Sequence, residues 1–101
     1  MYYISKKIEI SGAHHLNLDY DSKCANLHGH NWVIEVFCKS EQLDKNGMVV
    51  DFSHISEVVK QLDHTNLNDL MDCNPTAENI AYWICQRVPN CYKVSVQESS
   101  G

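Results

Sequence analysis

The sequence has no uninterrupted apolar run of about 18 residues, no C-x-x-C pair and no dense basic cluster. The first absence excludes a membrane-spanning helix. The second accompanies an odd set of cysteines at irregular spacing, Cys24, Cys38, Cys73, Cys85 and Cys91. That argues against an extracellular disulfide framework and for reduced thiols in the cytoplasm. The third, with 8 basic against 13 acidic residues and a net charge of −5, argues against a nucleic-acid partner. Internal repeats, low-complexity tracts and linkers are also lacking. The N-terminal residues alternate apolar and charged side chains and do not form the apolar core of a signal peptide. With 101 residues the chain reads as one domain, 1–101. A core that small favours self-association and shared sites.

What is present is strong periodicity. Over residues 2–14, Ile4, Ile8 and Ile10 share one parity and Lys7, Glu9 and Ser11 the other, the pattern of a half-buried strand. Residues 17–26 are polar and read as a loop. A second strand is predicted over 28–39, with Trp32, Ile34 and Val36 on one face. Asp44-Lys45-Asn46-Gly47 is a turn signal, and 48–52 reads as a third strand closing a hairpin. Ile55, Val58, Val59 and Leu62 fall on one stripe of a helix over 53–62. A second helix begins at Asn74-Pro75-Thr76 and is stopped by Pro89-Asn90. A last strand over 92–98 has Tyr92, Val94 and Val96 on one face. Strand, strand, strand, helix, helix, strand predicts an α+β layout, an antiparallel sheet with a helix pair on one face.

His28 and His30 stand two apart in a strand, so they point to one side with Cα atoms about 6.5–7 Å apart. Two imidazoles can then converge on one ion through bonds of about 2.0–2.1 Å. His14 ends the first strand on the parity of Ile8 and Ile10, on the matching apolar face. Three histidines leave a fourth position open, as catalytic rather than structural zinc requires. The alternative is a set of ordinary surface histidines. His15 has the opposite parity and is the weaker ligand candidate, and His54 reads as surface.

Cys24, four residues before His28 and beside Lys23, can act as a base or nucleophile, since a nearby cation favours thiolate. Asp63-His64 follows the first helix, and the carboxylate can orient the imidazole. A helix-terminal histidine near the dipole is the competing reading. Glu98 continues the apolar parity of the last strand. Either it meets a ligand with paired N–H donors or it is solvated beyond the strand.

Six motifs in order, Ser11-Gly12-Ala13-His14-His15-Leu16, Cys24-Ala25-Asn26-Leu27-His28-Gly29-His30, Gly47-Met48-Val49-Val50-Asp51-Phe52, Leu62-Asp63-His64-Thr65-Asn66-Leu67-Asn68, Pro75-Thr76-Ala77-Glu78-Asn79 and Val96-Gln97-Glu98-Ser99, resemble the 6-pyruvoyl/6-carboxytetrahydropterin synthase family. The resemblance implies the tunnelling fold: an antiparallel four-stranded sheet with two antiparallel helices on one face, oligomerising into a barrel. A homo-oligomer, a trimer or a hexamer built from trimers, with sites between subunits, is the implied assembly. It also implies zinc on His14, His28 and His30, a catalytic Cys24, a relay pair Asp63 and His64, and a pterin-anchoring Glu98. Thr76 and Glu78 are implied to line the pocket. Members usually continue for about another short strand past the position of Gly101.

The spacing Cys24-x3-His28-Gly29-His30 resembles the members that form 6-carboxytetrahydropterin in queuosine and deazapurine biosynthesis. The expected substrate is 7,8-dihydroneopterin triphosphate, with loss of acetaldehyde and triphosphate. The alternatives are the 6-pyruvoyl-forming activity and a non-catalytic metal- or pterin-binding module. A triphosphate calls for positive charge, and Lys6, Lys7 and Lys23 are the expected rim.

Overall fold

The computed structural model describes residues 1–99. The place at which the chain was expected to fall short of its relatives, Ser100 and Gly101, lies outside them. The elements are strands β1 (Tyr2–His14) and β2 (His28–Ser40), helix α1 (Phe52–Lys60), the short strand β3 (Thr65–Asn66), helix α2 (Ala77–Arg87) and strand β4 (Cys91–Glu98).

β1 and β2 pair antiparallel along their whole length, from Tyr2 opposite Ser40 to His14 opposite His28. At about 3.4 Å per residue this ribbon runs about 41 Å, and it accounts for most of the 51 Å long axis. Their even-numbered residues point inward: Ile10, Trp32, Ile34, Val36 and Cys38 are buried. Ile55, Val58 and Val59 of α1 and Ile80 and Ile84 of α2 join the same core, so both helices cover one face of the sheet. Asp51 caps α1 by accepting from the Ser53 N–H at 2.8 Å, and Thr76 caps α2 by accepting from the Asn79 N–H at 3.1 Å. Both are short oxygen-bearing side chains suited to that position.

Three expectations need correction. The sheet is mixed: its order is β3-β1-β2-β4, and β3 runs parallel to β1, pairing Thr65 with Gly12 and Asn66 with Ala13. Residues 48–52 form no strand, because their polar groups are committed elsewhere. Met48 N–H donates to the Asp44 carboxylate at 3.0 Å, the Val49 carbonyl accepts from Asn90 Nδ2 at 2.8 Å, and Phe52 opens α1. The expected turn at 44–47 is present, with Gly47 at φ 81.

The third correction concerns β4. Phe37 pairs with Lys93 but Cys38 pairs with Cys91, so Tyr92 is an extra residue, a bulge. Tyr92 therefore leaves the face of Val94 and Val96. It packs against Tyr3 at 6.0 Å and Phe37 at 6.4 Å between ring centroids, on the side of the sheet away from the helices.

Ile34 sits between Ile8 and Val96 on adjacent strands and has no exposed surface. Ile34→Ala is expected to destabilise by about 2–5 kcal/mol, a large share of the roughly 5–15 kcal/mol that holds a typical domain folded. A urea midpoint that falls with an unchanged slope is the signature to look for.

Candidate metal centre

The full β1–β2 register sets the three histidines at one end of the ribbon. His14 faces His28 directly, and His30 stands opposite Gly12. Ring centroids are 4.6 Å apart for His14–His28, 4.7 Å for His28–His30 and 5.4 Å for His14–His30. One nitrogen from each ring lies within 4.8 Å of the others. Two imidazole nitrogens on one tetrahedral zinc are about 3.4 Å apart, so small ring rotations suffice to close the set. Trp32 packs edge-on against His14 and His30 and anchors itself by donating from Nε1 to the Gly12 carbonyl at 3.2 Å.

Hydrogen bonds fix the tautomers. A carbonyl oxygen only accepts, so His14 Nδ1 must donate to the Pro75 carbonyl at 2.7 Å, and His28 Nδ1 to the Asn26 carbonyl at 2.7 Å. Each ring is left with a bare Nε2. His14 is only 3% exposed, and its Nε2 is buried with no hydrogen-bond partner. An orphaned lone pair among other imidazole nitrogens, each ring held by a carbonyl behind it, fits a divalent ion of the zinc type.

Burial holds the His14 pKa below its ordinary value of 6.5; neighbouring His28 and His30 press the same way, while Pro75 and Glu98 oppose them. The unfolded chain therefore takes up this proton more readily than the folded one. Through this group, metal-free protein is expected to keep an even stability just above neutrality. Its stability should fall as pH drops below 6.5 and level off once the folded ring is protonated. Urea midpoints at about pH 7.5 and about pH 5.5 test this, and His14→Gln should flatten the slope.

The centre opens into a pocket of about 460 Å³ lined by His14, Leu16, Lys23, Cys24, His28, His30 and Glu98. Cys24 lies in a single 3-10 turn, Lys23–Ala25, whose Ser22 cap accepts from the Cys24 N–H. The turn is tied to the end of β1 by the Leu16 N–H, which donates to the Cys24 carbonyl at 2.9 Å. Residues on either side of Leu16 are clasped from the opposite direction. Asn68 accepts from the His15 N–H and donates to the His15 carbonyl, and Asn74 does the same for Asn17. These two asparagines are positioning residues that the periodicity did not signal. Glu98, in register with Trp32, brings Oε1 to 3.6 Å from His30 Nε2 and stays half-exposed.

Not every expected residue converges here. His64 lines a different concavity with Ser11, Gly12, Ala13, Thr65 and Asn66, and Asp63 sits beside it. Asp63 accepts from the Ser11 N–H at 2.9 Å, and its other oxygen lies 3.6 Å from His64 Nε2. His64 holds a left-handed backbone, φ 56, pinned by its N–H donating to the Ser11 carbonyl at 2.6 Å. Its ring is 81% exposed. Thr76 and Glu78 do not line the pocket: Thr76 caps α2, and Glu78 is exposed in its first turn. Of the expected basic rim, Lys23 alone is present. Lys6 lies about 27 Å along β1 from His14, with Nζ over the Phe52 ring. His15 is outside the triad, and His54 is exposed. The similar-sized cavity at the other end of β1, about 470 Å³, contains no imidazole or thiol.

Comparison with known proteins gives a consistent set of likenesses. Residues 3–101 match the family described as 6-pyruvoyl tetrahydropterin synthase. The chain is 37% identical over 114 aligned positions to the 6-carboxy-5,6,7,8-tetrahydropterin synthase of Synechocystis, covering 98% of this chain and 88% of that protein. It is 46% identical over 67 positions to a putative enzyme of the same description from Pyrococcus horikoshii, where the match covers 62% of this chain and only 42% of the relative. Among solved structures, the 6-pyruvoyl tetrahydropterin synthase of Caenorhabditis elegans superposes with a TM-score of 0.74 at 27% identity, over 97% of this chain and 89% of that one.

Proposed function

The chain belongs to the 6-pyruvoyl tetrahydropterin synthase family, and from that premise we propose that it is a zinc-dependent lyase of the cytoplasm. Its reaction converts 7,8-dihydroneopterin triphosphate to 6-carboxy-5,6,7,8-tetrahydropterin, with release of acetaldehyde and triphosphate, as a step toward queuosine and related deazapurines. The observation that carries the reading is the meeting of Cys24 with three imidazoles and Glu98 in one pocket. A binding module needs the imidazoles or the carboxylate but has no use for the thiol. The Synechocystis relative, matched over nearly the whole chain, favours the carboxy-forming product.

His14, His28 and His30 would hold the ion, which when bound supplies Lewis-acid polarisation of a substrate oxygen. Glu98 would accept the paired N–H donors of the 2-aminopyrimidinone edge, which orients the pterin side chain toward Cys24. Cys24 would then take the proton from the side-chain carbon next to the polarised oxygen. Lys23, on the same rim, is placed to meet a phosphate.

Within one chain His64 and Cys24 line different concavities, which supports service of the Asp63–His64 pair to a neighbouring copy. Among the described residues, β1 pairs on its outer side with β3 only at Gly12 and Ala13, and Ser11 is taken up by Asp63 and His64, leaving the backbone of 2–10 open along that edge. Open edges are templates for pairing with another strand, and a closed ring of copies removes them. In that assembly His64, oriented by Asp63, would exchange a proton on the leaving side of the partner's substrate. An assembly structure with every Asp63–His64 pair well beyond contact distance of Cys24 would remove the relay from the mechanism.

Incubating the zinc-loaded protein with 7,8-dihydroneopterin triphosphate and weighing the products tests the reading. 6-Carboxytetrahydropterin with acetaldehyde supports it. A 6-pyruvoyl product moves the chain to the sister activity that the C. elegans neighbour is named for. Bound zinc without turnover leaves a metal- or pterin-binding module.

A further inference from the structure

Away from the metal centre, three of the thiols gather where the C-terminal turn of α2 meets the first residue of β4. Cys38 and Cys91 are cross-strand partners. Cys85 Sγ lies 2.8 Å from Cys91 Sγ. A disulfide bond is about 2.05 Å long, so closure needs less than an ångström of further approach. We propose that Cys85 and Cys91 form a redox-active dithiol, oxidised by hydroperoxides to a disulfide that staples α2 to the edge strand β4.

The other cysteines are poorly placed to compete. Cys38 is fully buried, out of reach of an oxidant, whereas Cys85 and Cys91 both keep some exposure. Cys24 and Cys73 belong to other parts of the molecule. Burial, with the contact to Cys85, pushes the Cys91 thiol up. With Cys85 attacking first, and equally with the two sulfurs exchanged, atoms and electrons balance. The Cys85 sulfur takes oxygen from the peroxide to give a sulfenic acid and one water. Cys91 sulfur then displaces the sulfenic oxygen, which leaves with the Cys91 proton as a second water, and the S–S bond forms. Two thiols and one hydroperoxide thus yield one disulfide and two waters when the peroxide is hydrogen peroxide.

The bond would act on the element that most needs holding. Among the described residues β4 pairs only with β2, and its far end holds Glu98. Closing the short loop between α2 and β4 is expected to slow opening of β4 by about tenfold or more.

The test uses the zinc-loaded protein treated with one equivalent of hydrogen peroxide, then a maleimide, then peptide mapping with and without reductant. A Cys85–Cys91 cross-linked peptide that disappears on reduction, and that Cys38→Ser still forms, is the expected result. Slower hydrogen exchange over Cys91–Glu98 in the oxidised form should accompany it. Free Cys85 and Cys91 after oxidation, or a Cys38–Cys91 link in their place, would overturn the proposal. A cross-link that leaves exchange of β4 unchanged would overturn the stapling. Because the wild-type cross-link decides the matter, a serine variant that fails to fold does not blunt the test.

Discussion

Replacing Cys24 with alanine is expected to lower turnover of 7,8-dihydroneopterin triphosphate by about 10²–10⁴-fold, the usual worth of a positioned acid or base, while zinc remains bound. The argument for that split is geometric. Cys24 shares the pocket with the histidines but is not one of the residues whose donor atoms converge. Its turn is held by backbone groups, the Cys24 N–H on Ser22 and the Cys24 carbonyl on the Leu16 N–H, and neither depends on the thiol. Loss of the sulfur should therefore leave the turn, the pocket and the metal in place. Zinc content by elemental analysis and single-turnover rates separate the outcomes. If zinc leaves with the sulfur, Cys24 is a fourth ligand and the centre is structural.

His28→Ala should give the converse pattern, a fall in zinc affinity of more than about 100-fold, beyond what loss of an outer-shell partner costs, with the fold retained. His28 is the ligand best suited to this test. It is half-exposed at the first position of β2, whereas His14 is buried against Trp32 and its removal would disturb the core. Competition with a chromophoric chelator reads the affinity, and circular dichroism reads the fold. Unchanged affinity would place the metal elsewhere and remove the basis for the proposed chemistry.

The parts of this molecule that the sequence announces are those governed by long, regular alternation. β1 and β2 keep one parity for their whole length, so the inward placement of His14, His28 and His30 followed from counting by twos. Glu98 was legible in the same way, by continuing the parity of Val94 and Val96. The failures share a different cause. β3 is two residues long, too short for any period, and its parallel pairing is set by where the chain emerges after α1. Residues 48–52 have alternating apolar character, yet Asp44, Asp51 and Asn90 take up backbone groups on and around them. One inserted residue at Tyr92 turned that ring to the other face of the sheet. Asp63 and His64 were recognisable as a pair, but which concavity His64 lines depends on its left-handed backbone, which periodicity does not encode.

The two ring-orienting bonds behind the metal centre have a consequence for how the site tolerates change. In many zinc proteins that second role falls to a carboxylate side chain, which one base change can erase. Here both acceptors are main-chain carbonyls, of Pro75 and Asn26, and every amino acid has a carbonyl. Side-chain replacement at either position leaves the acceptor in place so long as the loop keeps its path. The tautomers of His14 and His28 are thus insured by backbone geometry against drift in sequence. A saturation-mutagenesis map read by zinc binding should show sharp sensitivity at the imidazoles and tolerance at exposed Asn26, with buried Pro75 limited by packing rather than by its role as acceptor.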